Sequence, residues 1–374
     1  MKIPLSSPDI TESEIEAVTS VLRTSRLSLG PQMEAFESAM ADYVGISHAI
    51  TVSSGTAGLH LCIRALDIGE GDEVIVPSFT FIAAPNAIRY ERAQPVFVDI
   101  DADSLNMSPA SVEQAITPRT RAILAVHTFG RPAEMAAIME IARRHRLLVI
   151  EDACEALGAT CEGRQAGSFG DAGVFAFYPN KQITTGEGGM VVTRNPELAN
   201  RIRALRNQGR HDSTDWLQHA ELGYNYRLSE INCALGLAQL QRIEDILQQR
   251  ERVALQYQQA LTNIGGLILP ATDIPGTRIS WFVYVVRLDA SFTEDDRDSI
   301  VTALTHAGIG CGRYFAPIHL QPSYAAWRNS SVLPITEAQA SRTIALPFFN
   351  RITEDEIAYV SETLRAALLQ RRIQ

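Results

Sequence analysis

Short apolar runs alternate with helical patterns from residue 49 of this chain onward, and this alternation restricts the fold more than any other feature. Runs with the length of buried strands lie at 49–52, 73–76, 96–98, 121–127 and 147–150, with helical patterns between them. Such alternation favours a parallel sheet covered by helices, and parallel sheets bind ligands at the carboxyl ends of their strands. The sequence therefore predicts an α/β fold whose functional residues follow these strands.

The length predicts a second, smaller domain. At 374 residues the chain exceeds the roughly 250–300 residues at which one hydrophobic core stops growing. A long helical pattern at 229–264 leads out of the sheet region and could link two domains. Beyond it, 277–288 has the pattern of a strand. We predict a large α/β domain at 1–245, including an N-terminal arm, and a small α+β domain at 246–374.

Composition excludes several classes of protein. The net charge of −10 argues against a nucleic-acid or anionic-membrane binder. Residues 1–10 lack an apolar signal core, and no run approaches the roughly 20 apolar residues of a membrane span. The cysteines never form a CxxC pair, and the acidic run at 99–103 lacks the glycine and glutamate of a calcium loop. We expect a cytoplasmic protein without a metal site, a nucleic-acid partner or a membrane span.

Lys181 lies between an apolar strand pattern at 174–177 and a glycine-rich turn at 186–189. Pro179 ends the strand, so the lysine belongs to a loop at a strand end, where catalytic side chains are common. A lysine with the usual pKa of about 10.4 is a poor nucleophile at neutral pH unless burial lowers that pKa or a carbonyl captures the amine as a Schiff base. The local pattern fits both a catalytic lysine and an ordinary surface lysine.

Three further features each have a functional and a structural interpretation. Asp152 follows the apolar run at 147–150, where a buried carboxylate needs a partner such as a protonated pyridine nitrogen, although Asp also suits a helix N-cap. The turn SSGTAG at 53–58 opens a helix and can hold a phosphate or serve only as a tight turn. Phe79 can stack on a flat heterocycle or lie in the core.

Together these features describe a site for a flat, phosphorylated pyridine that carries an aldehyde. The turn would hold the phosphate, Phe79 would stack on the ring, Asp152 would face the ring nitrogen and Lys181 would capture the aldehyde. That molecule is pyridoxal 5′-phosphate (PLP), whose chemistry needs a Schiff-base lysine and an acidic partner for the pyridinium. The sequence thus predicts a PLP enzyme.

The chain resembles the DegT/DnrJ/EryC1/StrS family of nucleotide-sugar aminotransferases along essentially its whole length. The matching stretches are SLGPQMEAFE (28–37), SSGTAGL (53–59), VPSFTF (76–81), HTFGRPAEM (127–135), EDACEALGA (151–159), FYPNKQITTGEGG (177–189), LGYNYRLSEINCALGLAQL (222–240) and PIHLQP (317–322). EDAC, NKQITTGEGG and GYNYRLSE at these intervals are highly specific. The resemblance implies the fold-type I architecture of PLP enzymes, with a mainly parallel sheet between helices in the large domain.

The resemblance also assigns cofactor contacts. It implies that Lys181 forms the Schiff base, Asp152 pairs with the pyridine nitrogen, Phe79 stacks on the ring, and Gly55 and Thr56 help to hold the phosphate. These roles follow from the positions of the family motifs in this sequence.

Four more residues match family positions near the cofactor or the substrate. Glu155 falls where the family carries Gln, His or Glu near the 3-hydroxyl group of the cofactor. Asn225 falls where family members reach across a dimer interface to the partner's phosphate, which implies a homodimer with shared active sites. Arg227 and His319 match loops that border the sugar-nucleotide pocket, or alternatively are a surface arginine and a structural histidine.

One position departs from the family pattern. Five residues before the lysine, many members carry a serine whose hydroxyl contacts the phosphate, and here Ala176 stands in that place. Either Asn225, Thr56 and backbone amides suffice, or another side chain such as Asn180 takes over the contact.

The resemblance implies an aminotransferase that moves an amino group, with glutamate as the expected donor, to a nucleotide-linked keto sugar. Within the family, EDACEA and NKQITTGEGG are most similar to the perosamine-forming branch, which aminates a GDP-linked 4-keto-6-deoxymannose. UDP- and dTDP-linked keto sugars are alternative substrates that the sequence leaves open. The alternatives are a PLP-dependent sugar dehydratase, for which the resemblance predicts His in place of Lys181, and a non-catalytic regulatory protein, which would have lost Lys181 or Asp152.

Overall fold

The computed structural model describes residues 2–211, 218–327 and 332–373. Within these ranges the chain forms thirteen strands and twelve α-helices. The strands are β1 His48–Val52, β2 Glu73–Pro77, β3 Gln94–Val98, β4 Thr120–Val126, β5 Leu148–Asp152, β6 Thr160–Cys161, β7 Arg164–Gln165, β8 Ala172–Ala176, β9 Gly189–Thr193, β10 Leu267–Ile268, β11 Thr277–Arg278, β12 Tyr284–Leu288 and β13 Thr343–Leu346. The helices are α1 Glu12–Leu22, α2 Pro31–Val44, α3 Gly55–Ala65, α4 Ala83–Tyr90, α5 Pro109–Gln114, α6 Met135–His145, α7 Pro196–Arg206, α8 Glu230–Gln241, α9 Ile243–Leu261, α10 Glu294–His306, α11 Pro334–Ala340 and α12 Glu354–Ile373.

Seven strands form one large sheet in the order β1-β9-β8-β5-β4-β2-β3. Strands β3, β2, β4, β5 and β8 pair in parallel, and β9 is antiparallel to both of its neighbours, β8 and β1. Successive side chains of a strand point to opposite faces, so Val74 and Val76 pack in one core with α3, α4 and α7, whereas Ile75 packs in another with α6. Burial on both faces explains why these strands are continuous apolar runs. The predicted α/β fold is confirmed.

The strand directions bring several loops to one edge of the sheet. Because β2, β4, β5 and β8 run in parallel, the residues after Pro77, Val126, Asp152 and Ala176 all lie at this edge. Strand β1 has the same direction, since β9 is antiparallel to both β1 and β8, and the amino terminus of α3 therefore faces the same edge. The sheet topology alone thus collects the predicted cofactor residues.

A second core lies in the C-terminal part of the chain. The sheet β10-β12-β13 packs against α9, α10 and α12, and Ile3 from the amino-terminal segment joins the same cluster. Along α9, Ile246 and Leu247 pack with the large-sheet residues, whereas Val253 and Tyr257 pack in the C-terminal core. The predicted domain boundary after residue 245 lies just before this transition and stays a prediction.

The prediction of one continuous helix at 229–264 is wrong, because the chain breaks at Arg242 between α8 and α9. Arg242 has φ −116° and ψ 24°, outside the helical region. Its guanidinium donates hydrogen bonds to Glu14 Oε1 at 2.6 Å and to Asp9 Oδ2 at 3.0 Å. These contacts with the N-terminal segment are lost if α8 and α9 form one straight helix.

The sequence signals of local structure agree with the structure. Glu14 Oε2 accepts a hydrogen bond from the Thr11 backbone N–H at 2.6 Å, which belongs to the capping box of α1. Gly45 ends α2 in the left-handed conformation with φ 69°. Across the described part of the chain, every helix is too short or too polar to cross a lipid bilayer.

Candidate active site

A cleft of about 440 Å³ opens at the carboxyl ends of the parallel strands. Six of the ten predicted site residues line it, namely Gly55, Thr56, Asp152, Glu155, Asn180 and Lys181. Phe79, Asn225, Arg227 and His319 are not among the lining residues. The structure therefore brings together six of the eight residues predicted to contact a cofactor, and it leaves Phe79, Asn225 and the two predicted substrate residues outside this cleft.

Lys181 lies in the loop after β8, where its backbone N–H donates to Tyr178 O at 2.9 Å. Its side chain is only 14 % exposed, and Nζ lies 3.6 Å from Glu155 Oε1. The same Nζ lies 4.0 Å from the centre of the Phe282 ring. The amino group is thus held between a carboxyl group and the face of an aromatic ring.

Glu155 is a buried carboxyl group in the wall of the cleft. Burial raises the pKa of Glu155 above its usual range, and the nearby Lys181 ammonium and the Phe129 N–H only partly offset this effect. The Phe129 N–H donates to Glu155 Oε2 at 2.9 Å, which leaves Oε1 directed at Lys181. Glu155 therefore presents one carboxyl oxygen to the lysine amino group within the cleft.

Asp152 is the last residue of β5 and is 8 % exposed. Its Oδ1 accepts a hydrogen bond from the Cys154 N–H at 3.1 Å, and no helix begins between it and β6, so the helix N-cap interpretation does not apply. Among the described residues, no Lys, Arg or His forms an ion pair with Asp152. A nearly buried carboxylate in this setting can hold a cationic group of a bound molecule.

Glu151, the neighbouring carboxylate, has a structural role because adjacent strand residues point to opposite faces. It is fully buried, and its Oε1 accepts hydrogen bonds from Phe169 N at 2.6 Å and Gly170 N at 2.7 Å. His127 Nε2 lies 2.9 Å from its Oε2. These contacts fix the loop before β8, the strand whose last residue, Ala176, lines the cleft.

The amino terminus of α3 forms the opposite end of the cleft. Ser54 caps the helix by accepting a hydrogen bond from the Ala57 N–H at 3.0 Å. A Cβ atom on Gly55 would lie 2.7 Å from Ala176 Cβ and 2.9 Å from Cys154 Sγ, so only glycine fits here without displacing the wall. The N–H groups of a first helical turn have no partner within the helix and attract anions.

Asn180 contributes a polar group that the protein leaves unsatisfied. Its Oδ1 is buried and has no hydrogen-bond partner, although the residue lines the cleft. An unsatisfied buried polar atom costs about 1–3 kcal/mol. Such an atom at a cleft is satisfied when a ligand or water binds.

The structure does not bring Phe79 to the cleft, so the predicted stacking ring is misplaced. Phe79 is fully buried, with ring centres 6.0 Å from Phe129 and 5.7 Å from Phe315. Phe81, two residues later, is 62 % exposed and lines the cleft. Both residues follow the end of β2, where the chain is irregular and strand alternation no longer fixes which ring faces the ligand.

His319 is held in the interior rather than at a substrate pocket. It is 5 % exposed, its Nδ1 lies 2.6 Å from Ser78 Oγ, and its Nε2 lies 3.2 Å from Glu337 Oε1. These partners occupy both ring nitrogens and agree with the structural interpretation of this histidine.

The segment that carries Asn225 and Arg227 passes beside the start of α3, because Ser53 N donates to Tyr226 O at 2.8 Å. Asn225 is exposed. Arg227 Nη1 donates to Asn207 Oδ1 at 2.9 Å and to Gln208 Oε1 at 2.7 Å, both uncharged acceptors. Both residues therefore lie outside the cleft of the single chain but near its α3 end.

Sequence reasoning missed the aromatic residues that line the cleft. Tyr178, Phe282, Tyr314 and Phe315 line it together with Phe81. Phe282 and the 314–315 pair come from the C-terminal part of the chain, and the pair is stacked with ring centres 5.3 Å apart. The nearest sequence signal for this wall was the family stretch PIHLQP at 317–322, which begins two residues after this pair.

Comparison with known proteins decides the family. The profile of the DegT/DnrJ/EryC1/StrS aminotransferase family matches residues 8–365. The chain belongs to this family. It is 41 % identical to the GDP-perosamine synthase of Caulobacter vibrioides over 370 residues, which cover 98 % of this chain and 99 % of that protein.

Two further relatives of this aminotransferase are similar over nearly their full lengths. The spore coat polysaccharide biosynthesis protein SpsC of Bacillus subtilis is 39 % identical, covering 97 % of this chain and 96 % of that protein. The crystal structure of S. venezuelae DesV in complex with a ketimine intermediate superposes with a TM-score of 0.90 at 36 % identity, covering 98 % of each chain. The predicted family, the fold-type I class and the enzyme class, a PLP-dependent sugar aminotransferase, are confirmed.

The cleft of this aminotransferase fits PLP. Asp152 offers a nearly buried carboxylate that forms no ion pair with a described residue, as the pyridinium needs. Lys181 offers an amine at the opposite wall, the first turn of α3 offers N–H groups for a phosphate, and Asn180 offers an unsatisfied amide. Each group that the cofactor requires is present without rearrangement of the chain.

Proposed function

We propose that this aminotransferase transfers an amino group from glutamate to the keto group of a nucleotide-linked sugar. The observation that carries the proposal is the convergence of Lys181, Asp152 and the α3 amino terminus on one cleft. The sugar is supported by two relatives, one named GDP-perosamine synthase and one named a spore coat polysaccharide biosynthesis protein.

Bound PLP supplies an aldehyde that captures amines and a pyridinium ring that accepts the electron pair released at the amino acid's α-carbon. Asp152 keeps the positive charge on the ring nitrogen by pairing with it. Lys181 Nζ would remove the proton from the α-carbon of the amino donor. Acting as a general acid, it would then deliver that proton to the carbon that belonged to the cofactor's aldehyde group. Glu155, 3.6 Å from Nζ, stabilises the charged lysine between these two proton transfers.

The remaining residues position the cofactor and the substrate. Gly55 and Thr56 offer the first-turn N–H groups of α3 to the phosphate. The Asn180 side chain takes the contact that Ala176 cannot make by donating from Nδ2, while its unsatisfied Oδ1 accepts from a donor of the bound molecule. Phe81, rather than Phe79, contacts the face of the cofactor ring or the sugar. Arg227, whose guanidinium donates to the neutral amide oxygens of Asn207 and Gln208, meets the diphosphate of the sugar nucleotide.

A donor and acceptor assay tests the proposal. Glutamate added to the PLP-loaded protein should change the visible absorbance of the cofactor and release 2-oxoglutarate. A panel of GDP-, UDP- and dTDP-linked amino sugars, each added to the PLP-loaded protein in place of glutamate, should drive the same change by half-reaction in the reverse of the proposed direction, with the GDP-linked 4-amino-6-deoxy sugar reacting fastest. The Lys181→Ala variant serves as the blank. If no amino sugar in the panel alters the absorbance, the proposed substrate class is wrong.

We propose that the enzyme is a cytoplasmic homodimer with shared active sites. All five cysteines are free thiols, as expected in a reducing compartment. Asn225 is exposed beside the start of α3 but does not line the cleft of its own chain, so its side chain is free to enter the cleft of a second copy. Leu222, three residues before Asn225, is 76 % exposed and provides apolar surface for such a contact.

Subunit complementation tests this arrangement. Asn225→Ala alone should lower kcat/KM by 10-fold or more, because a hydrogen bond to a charged phosphate is lost. A mixture of Asn225→Ala and Lys181→Ala chains that have been allowed to exchange should regain about a quarter of wild-type activity, since half of the dimers are mixed and one site in each is intact. Activity no greater than that of the Asn225→Ala chains alone would show that Asn225 serves its own subunit.

A further inference from the structure

The amino group of Lys181 meets an aromatic ring from a distant part of the chain. Nζ lies 4.0 Å from the ring centre of Phe282, which is 3 % exposed and lines the cleft. Lys181 belongs to the loop after β8 of the large sheet, whereas Phe282 lies two residues before β12 of the C-terminal sheet. Packing between two separate cores therefore decides where the lysine rests.

The residue after the lysine ties these two segments together. Gln182 is 4 % exposed, and its Nε2 lies 2.9 Å from Ser280 Oγ and 3.1 Å from Ser280 O. The same Nε2 donates to Glu155 O at 2.5 Å. The buried Gln182 amide thus links the loop that contains Lys181 to the backbone of Glu155 and to Ser280, two residues before Phe282.

Ser280 is fixed from the large-domain side as well. It is 1 % exposed, its N–H donates to Gly130 O at 3.0 Å, and its hydroxyl donates to Leu157 O at 2.5 Å. Gly130 has φ +82°, and a Cβ atom on it would lie 1.7 Å from Ser280 O. Because the two backbones approach this closely, Ser280 and Phe282 have little freedom to move away from the lysine.

We propose that Phe282 is a positioning residue for Lys181 and that the Gln182–Ser280 hydrogen bonds keep the two side chains in contact. This inference rests on the proposed role of Lys181 as the proton-transferring lysine. The ring face attracts the charged amine and covers it from solvent, while Glu155 holds it from the other side. When Nζ is not bonded to the cofactor, these two groups keep it within the cleft, ready for proton transfer.

The test uses the PLP-loaded full chain and a matched set of substitutions. Phe282→Leu removes the ring, Phe282→Tyr keeps it, and Phe292→Leu makes the same truncation in the C-terminal core away from the cleft. We expect Phe282→Leu to lower kcat about 10-fold with KM changed less than about 2-fold, and to alter the visible circular dichroism of the bound cofactor. Phe282→Tyr and Phe292→Leu should keep both properties near the wild-type values.

Gln182→Met and Ser280→Ala provide the second arm and both keep the Phe282 ring. Gln182→Met removes the whole link, whereas Ser280→Ala removes its side-chain hydrogen bonds and keeps the bond to the Ser280 backbone oxygen. We expect each to alter the same dichroism signal and to lower kcat about 3-fold or more. Borohydride trapping of the cofactor on Lys181 should succeed in every variant. If it fails in the wild-type chain, the proposed function is wrong, which is a different outcome from failure of this inference. The inference is overturned if Phe282→Leu matches Phe292→Leu in kcat and dichroism, or, where Phe282→Leu does not fold, if Ser280→Ala and Gln182→Met both match the wild type.

Discussion

Replacing Lys181 with alanine should lower transamination by a factor of about 10⁴ or more while the chain remains folded. The side chain lies in the cleft at 14 % exposure and contacts Glu155 and Phe282 rather than a structural core. In the proposed mechanism its loss removes the group that moves the proton at the α-carbon, and among the described residues no other lysine lines the cleft. The effect should fall on kcat, with PLP still bound through the α3 amino terminus.

The sequence offers an unusually clean control for this experiment, because the chain contains only two lysines, Lys2 and Lys181. Lys2 is exposed, so Lys2→Ala should leave activity and cofactor trapping unchanged. Borohydride reduction followed by mass spectrometry should place the label on Lys181 in the wild type and in Lys2→Ala. Near-native turnover in Lys181→Ala, or a label on another residue, would contradict the proposed mechanism.

Replacing Asp152 with asparagine should lower kcat by about 10²–10³. The amide has the same shape and can keep the hydrogen bond from the Cys154 N–H, now 3.1 Å long, so the fold of the loop should survive. It cannot carry the negative charge that holds a proton on the pyridine nitrogen. The ring then accepts negative charge poorly, and removal of the α-proton becomes slow.

Asp171→Asn is the matched control for this variant. Asp171 also accepts a backbone hydrogen bond beside β5, from Val149 N at 2.8 Å, but it does not line the cleft. Steady-state kinetics and thermal unfolding should be measured for both variants, with only Asp152→Asn losing activity at unchanged stability. Equal losses in the two variants would mean that the Asp152 carboxylate acts through the fold rather than on the cofactor.

The cofactor end of the site was predictable from the sequence for a physical reason. Asp152 and Lys181 each follow an apolar strand, and the parallel pairing of β5 with β8 necessarily brings the ends of those strands together. The SSGTAG turn opens α3 as expected, and its glycine is required by close contact with Ala176. The local sequence pattern and the sheet topology both place these residues at the carboxyl edge of the parallel strands. Their proximity could therefore be predicted with few tertiary contacts.

The opposite wall of the cleft was not predictable in this way. The backbone after β2 is irregular, so the sequence does not show whether Phe79 or Phe81 faces the cleft. Phe79 packs against Phe129 and Phe315 in the interior, and Phe81 therefore lies at the cleft. The break between α8 and α9 depends on Arg242 meeting Glu14, 228 positions away in the sequence. Periodicity carries no information about such distant partners.

The sequence by itself determined the α/β fold, the cofactor class and the strand-end position of Lys181, because apolar periodicity and strand-end motifs are local properties. Only the tertiary structure decided that Lys181 rests on Phe282 and that Gln182 holds Ser280 beside it. Those contacts join two segments that lie 98 residues apart in the chain, and they form only when these segments pack against each other.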